Sequence, residues 1–328
     1  MHATYIPAAE ARGSSACRDF PDGEAMYQEC LRFHTSTEMT ADEVHATVCA
    51  SNPLVCKERA VADLVRAQGL AEVKRIKDAM KGVMKQCGFS GTLREFADSL
   101  RQDKQHVCST QAELLAGYQK IMDHVQSKLP SLFYNIPSTP CTLKAMSPEK
   151  AKSAPAACVP HVGHGWLRLV HVAACCRYYY AGTPDGKRPG VFYANTDNLP
   201  ARKIYEMEAL TLHEAIPGHH FQIQLAIENG GLAVFQAHLE DRRYGEAPGR
   251  FPLYSAYVEG WGLYSEALGH EIDGVYDSPY SHFGQLSMEM LRACRLVVDT
   301  GLHHLRWDAE KAIKCVVPGR SVAQERPC

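Results

Sequence analysis

Apolar residues recur along most of this chain at the three- and four-residue spacing of a helix buried on one face. The spacing predicts helical structure over 20–46, with Thr40-Ala-Asp-Glu43 as a capping box at a helix start. It predicts an amphipathic helix from Gly69 to Gly88, carrying Val73, Ile76, Met80, Val83 and Met84 on one face. Helices follow over Thr92–Gln102 and Thr110–Lys128, the second ended by Pro130. Leu132 to Lys144 reads as loop and short strand. After a turn, Pro-Gly-Val-Phe-Tyr-Ala-Asn within 187–199 alternates in bulk and reads as a strand, followed by a loop at Asn195–Pro200.

Two stretches break the pattern, 48–68 and 158–177, and both read as insertions. His161, His164 and His171 in the second have no acidic or thiolate partner at ligand spacing. The resulting organisation is an N-terminal helical region, 1–157, then the insertion 158–177, a region 178–315 that carries the chemistry, and an atypical tail, 316–328.

Composition narrows the function classes. With 328 residues, 45% hydrophobic and 22% charged, the chain suits one large or two modest globular domains. A net charge of −2 gives no electrostatic motive for binding nucleic acid. No apolar run approaches the roughly 20 residues of a membrane span. The start, Met-His-Ala-Thr-Tyr-Ile-Pro, lacks the basic and apolar segments of a secretory signal, so the expected location is cytoplasmic. The 13 cysteines include no Cys-x-x-Cys pair and read as incidental, not as a disulfide framework or a structural zinc module.

The candidate chemistry is concentrated in His213-Glu214-Ala-Ile-Pro217-Gly218-His219-His220. Imidazoles with a neighbouring carboxylate point to metal-assisted hydrolysis, with zinc as the metal and Glu214 as the base that takes a proton from water. In an unbroken helix His219 and His220 would lie about 9 and 10.5 Å beyond His213 along the axis, too far to share one ion. Pro217 and Gly218 predict a bulge or break at 215–218 that returns one of the two. His219 needs the smaller bulge, and His220 stays open. Glu259, 46 positions after His213, is the candidate third ligand, and Glu266 the candidate partner for a ligating imidazole's other nitrogen. Arg292, Arg295, Asp299 and His303 share one helical stripe, from which Arg295 and His303 could supply a cation and a donor to a substrate; Tyr254, Tyr257 and Tyr264 are alternative oxyanion donors.

His213-Glu-Ala-Ile-Pro-Gly-His-His220 and Val258-Glu-Gly-Trp-Gly-Leu-Tyr264 resemble the signatures of the family known as domain of unknown function 885, regarded as zincin-like. Val258-Glu-Gly-Trp is also similar to the Asn-Glu-Gly-Phe segment that supplies a glutamate ligand in gluzincin aminopeptidases. The resemblance runs from Phe20 to Ala46, Gly69 to Ala157 and Tyr178 to Lys314. It implies a mainly α, zincin-like helical metallopeptidase fold with a small β element, with zinc held by His213, His219 and Glu259. It also implies a peptide or small amide substrate, an edge strand within 187–199 to pair with it, and a chain that is a fragment of a larger helical protein. The competing readings are a carboxylate-bridged di-iron oxidoreductase, for which the Glu-x-x-His pairs are missing, and a metal-free scaffold.

Overall fold

The computed structural model describes residues 16–35, 37–49, 62–153, 178–183, 186–229, 255–308 and 311–312. The periodic stretches form helices α1 (Gly23–Thr35), α2 (Ala41–Cys49), α3 (Ala62–Gln86), α4 (Leu93–Gln102) and α5 (Gln111–Leu132). The capping box before α2 forms as the sequence requires: the Thr40 N–H donates to Glu43 Oε2 at 2.7 Å, and Thr40 Oγ1 accepts from the Glu43 N–H at 3.2 Å. Pro130 does not end α5, which runs on to Leu132. A proline withholds only the bond to Gln126, and in a final turn the carbonyl of Leu129 still finds the Phe133 N–H at 2.9 Å. On α3, Ile76, Met80, Val83 and Met84 are all buried, as their spacing predicts.

The chain divides into two compact units. The first comprises Met1–Lys81, Thr92–Arg94 and Glu289–Cys328. Its core packs Tyr27 and Leu31 of α1 against Ala41 and Val44 of α2. Within it the Tyr27 O–H donates to Asp299, and buried His45 shares a hydrogen bond with Thr300.

The second unit comprises Gly82–Gly91 and Glu95–Met288. Its spine is α5, whose Leu114, Tyr118, Met122, Val125 and Leu129 recur at helical spacing and are all buried. Beside it lies a sheet of β1 (Cys141–Ala145), β2 (Tyr178–Tyr180) and β3 (Gly190–Ala194), in the order β1-β3-β2. Tyr118 meets Phe192 of β3 edge-on, with ring centroids 5.3 Å apart. β3 pairs parallel with β1 and antiparallel with β2, so the strand expected at an edge is the central one. Its backbone groups are committed on both sides and cannot serve an extended peptide.

The remaining helices are α6 (Pro148–Ser153), α7 (Met207–Glu214), α8 (His219–Glu228), α9 (Ser255–Leu268) and α10 (Pro279–His303). Leu212, Ala215, Ile216 and Phe221 join the α5 core, which fixes the α7–α8 corner against the spine. Most of 48–68, all of 158–177 and the tail lie outside the described residues. Six described cysteines, Cys17, Cys30, Cys87, Cys108, Cys141 and Cys294, are free thiols. No helix among the described residues is long and apolar enough to cross a membrane.

Candidate metal centre

The break predicted at 215–218 is present. α7 stops at Glu214, a four-residue turn follows, and α8 begins at His219. The His220 N–H reaches back to the carbonyl of Ala215 at 3.1 Å. A Cβ on residue 218 would lie 1.9 Å from the carbonyl oxygen of His213 and 2.2 Å from that of Leu212, so only glycine lets the chain double back over the end of α7. From the other side α9 grips the turn. Trp261 Nε1–H donates to the Pro217 carbonyl at 2.8 Å, and the Ser265 hydroxyl donates to the same oxygen at 3.3 Å.

This corner brings three candidate ligands together. Ligand atoms of His213, His219 and Glu259 all lie within 4.8 Å of one another. Glu259 Oε2 is 3.1 Å from His213 Nε2, and its Oε1 is 3.7 Å from His219 Nε2. Bonds of about 2.0–2.1 Å in a tetrahedron put neighbouring donor atoms about 3.3 Å apart, a value that the two spacings to Glu259, one from each of its oxygens, bracket. The donor set also suits the ion, with two imidazole nitrogens and one carboxylate oxygen.

Behind the cluster, His213 Nδ1–H donates to Glu266 Oε1 at 2.8 Å, and Glu266 is fully buried. This is the supporting carboxylate that a ligating imidazole needs. Burial pushes the His213 imidazole down, but its bonds to Glu259 and Glu266 outweigh that and raise it to about 10. Two carboxylates thus converge on one ring and hold a positive charge there, where a divalent cation would supply it. Glu214, the last residue of α7, is also buried. The two imidazoles are under a tenth exposed, whereas the side chain of Glu259 is 62% exposed, so the cluster opens to solvent on the carboxylate side.

The other candidates fall elsewhere. His220 does not join the cluster: its Nδ1 accepts from the Tyr179 hydroxyl at 3.0 Å, and the ring also bonds the Thr139 backbone. Burial keeps it neutral, at about 4. Tyr264 is on α9 with Glu259, but five positions carry it about 140° around the helix, and it is 54% exposed, with its ring near Trp261. Tyr257 is likewise exposed, and Tyr254 lies outside the described residues. Arg295 and His303 belong to the first unit, the ligand candidates to the second. There His303 Nδ1 accepts the Cys17 N–H at 3.1 Å and Asp299 accepts from the Tyr27 hydroxyl, so these two residues tie segments of the first unit together. Tyr179, Thr139 and Glu228, which support His220 and its helix, carry no motif and escape sequence reasoning.

The fold is similar to that of a solved structure named "putative lipoprotein from Colwellia psychrerythraea", at 27% identity and a TM-score of 0.70, covering 92% of this chain and 43% of that one. A second, the "putative lipoprotein of unknown function from Shewanella oneidensis", shares 14% identity with a TM-score of 0.59 over 96% of this chain and 49% of its own, a likeness of fold alone. This chain therefore spans less than half the length of either. No curated protein matches it. Residues 56–161 and 171–325 match the family described as "Bacterial protein of unknown function (DUF885)", a match that includes the His213–His220 corner and Glu259, and the chain belongs to that family.

Proposed function

We propose that the protein is a zinc-dependent hydrolase of amide bonds, a peptidase, with His213, His219 and Glu259 as ligands and Glu214 as general base. The observation that carries this reading is the convergence of two buried imidazoles and one exposed carboxylate within 4.8 Å. Structural zinc sites are closed by four protein donors, whereas three leave a position for chemistry. Among the described residues the cluster holds three donors, of which one is a carboxylate, and this does not suit a di-iron centre with its several bridging carboxylates.

Zinc bound there would polarise a carbonyl and make water acidic enough to be deprotonated near neutral pH. Glu266 fixes the tautomer of His213, so that Nε2 faces the centre. Glu214 accepts a proton from the attacking water as its oxygen bonds the amide carbon. It then delivers that proton to the amide nitrogen as the C–N bond breaks, leaving a carboxylic acid and an amine. Tyr264, Arg295 and His303 have no part in this scheme.

Elemental analysis of dialysed protein tests the proposal: about one zinc per chain is expected, and no metal or two irons would overturn it. The name carried by the Colwellia psychrerythraea structure supports an exported, lipid-anchored setting for the longer protein, in place of the cytoplasmic one expected from the sequence. Recovery of the native protein in the aqueous phase of a detergent partition would count against that setting.

A further inference from the structure

We propose that His220 is a positioning residue: pinned between Tyr179 and Thr139, it sets the rotation of α8 about its axis and so aims the adjacent His219 at Glu259. This rests on the zinc reading above. The problem it solves is visible in the chain. Because the turn at 215–218 interrupts the helix, α8 cannot inherit its rotation from α7. Burial does not choose a face either, since His219, His220, Phe221, Gln222, Ile223 and Gln224 are all buried, so apolar contact is available all round. Something directional has to decide.

Hydrogen bonds are directional: towards the sheet α8 makes them through His220, while on another side Gln222 Nε2–H donates to the Tyr257 carbonyl of α9 at 3.1 Å. His220 is 3% exposed, with Nδ1 on the Tyr179 hydroxyl of β2 and the ring bonded to the Thr139 backbone. Eight residues later, about 80° round the helix, Glu228 accepts the N–H groups of Ser138 at 2.7 Å and Thr139 at 2.9 Å. The Thr139 backbone is thereby engaged by both ends of the helix, by His220 at one and Glu228 at the other. Neighbouring residues point about 100° apart, so fixing His220 fixes His219. The tolerance is small. A rotation of only 10° moves an atom about 6 Å from the axis by roughly 1 Å, against a latitude of about 0.2 Å in a metal–ligand bond. The duplicated histidine thus has two jobs, with one ring for the metal and the other for the register of the helix that carries it.

The test uses the full chain with two conservative changes remote from the ligands, Tyr179→Phe and Glu228→Gln, and a packing control, Val125→Ala on α5. Zinc affinity is measured by chelator competition, ligand geometry by the visible spectrum of the cobalt-substituted protein, and stability by thermal unfolding without metal. In Tyr179→Phe and Glu228→Gln, zinc affinity should fall at least about tenfold and the cobalt band should change shape. Val125→Ala should lower the melting temperature while leaving affinity and spectrum unaltered. Wild-type affinity and spectrum in both conservative variants would overturn the proposal, as would an equal spectral change in Val125→Ala. A wild-type protein that binds neither zinc nor cobalt would remove the metal reading itself, and the positioning role with it.

Discussion

At Gly262 the backbone of α9 packs directly on the His213 ring, and replacing this glycine with alanine separates packing from metal geometry. A Cβ there would sit 2.6 Å from His213 Cε1 and 2.8 Å from each ring nitrogen, where even tight contacts rarely fall below 3.0 Å and ordinary ones begin at 3.4 Å. The ring or the helix must yield by about 0.8 Å, several times the roughly 0.2 Å latitude of a zinc–nitrogen bond. The ring has nowhere to go, because His213 is 4% exposed and its far nitrogen is tied to Glu266 at 2.8 Å. Zinc affinity should therefore fall by at least about a hundredfold, the upper end of what losing a ligand's support costs. Fold stability should change far less: overpacking costs about 1–3 kcal/mol, and replacing a mid-helix glycine returns about 1 kcal/mol. Gly260, two residues earlier on the same helix, is the matched control. It is exposed and a Cβ there meets nothing within 4 Å, so Gly260→Ala should stabilise the protein by about 0.5–1 kcal/mol with zinc binding intact. Urea unfolding of the metal-free variants and chelator competition give both numbers. Gly262→Ala with wild-type zinc affinity would refute the geometry of the site.

Three further outcomes follow from the same coordinates. Glu214→Gln keeps shape but removes the proton acceptor, so zinc content should hold while peptide hydrolysis drops at least about a hundredfold; loss of zinc in this variant would make Glu214 a ligand. Glu266→Gln withdraws the charge behind His213 and should weaken zinc about 10–100-fold, an effect absent if the carboxylate only fills space. Burial pushes the Glu228 carboxyl up, but the N–H groups of Ser138 and Thr139 outweigh it and hold it down at about 2, below the usual 4.5. A depressed carboxylate stabilises the fold above its unfolded pKa and loses that contribution as pH falls towards its folded one. Urea unfolding between pH 4.5 and 2 should therefore show a steeper loss in wild type than in Glu228→Gln, and parallel curves would remove Glu228 as an anchor.

Much of this was legible because it is local. The capping box at Thr40 and Glu43, the apolar face of α3 and the spine of α5 depend on residues three or four apart, and the structure returns them with small shifts at the ends. The break at Pro217 was legible for the same reason, as was the partnership of Glu266 with His213 once a ligating imidazole was posited. Long-range facts were not. Alternating bulk marked β3 as a strand but said nothing of its neighbours: one partner, β1, is about 50 residues earlier, and the other is a three-residue strand of tyrosines with no alternation to read. The Arg292–His303 stripe shows the same gap. Periodicity gave it a face, but Arg295 and Asp299 are exposed, and what Asp299 and His303 bond, Tyr27 of α1 and the Cys17 N–H, lies more than 270 residues away along the chain.

The pair His219-His220 shows where such reading stops in principle. Spacing along the sequence fixes how far a residue has advanced, and by that measure the two histidines differ by only about 1.5 Å of helix rise. What separates them is direction, because adjacent side chains diverge by about 100° and a helix restarting after a turn can begin at any rotation. Their environments then differ sharply. One ring is 4.7 Å from that of His213 and faces a carboxylate, while the other is held against the Tyr179 hydroxyl and the Thr139 backbone. That choice is made by Tyr179 and Thr139, 40 and 80 residues upstream of the pair, in segments that carry no metal-binding signature of their own. A motif of this kind is incomplete without the surface its helix leans on, and the residues that complete it are found by asking what stops the helix from turning.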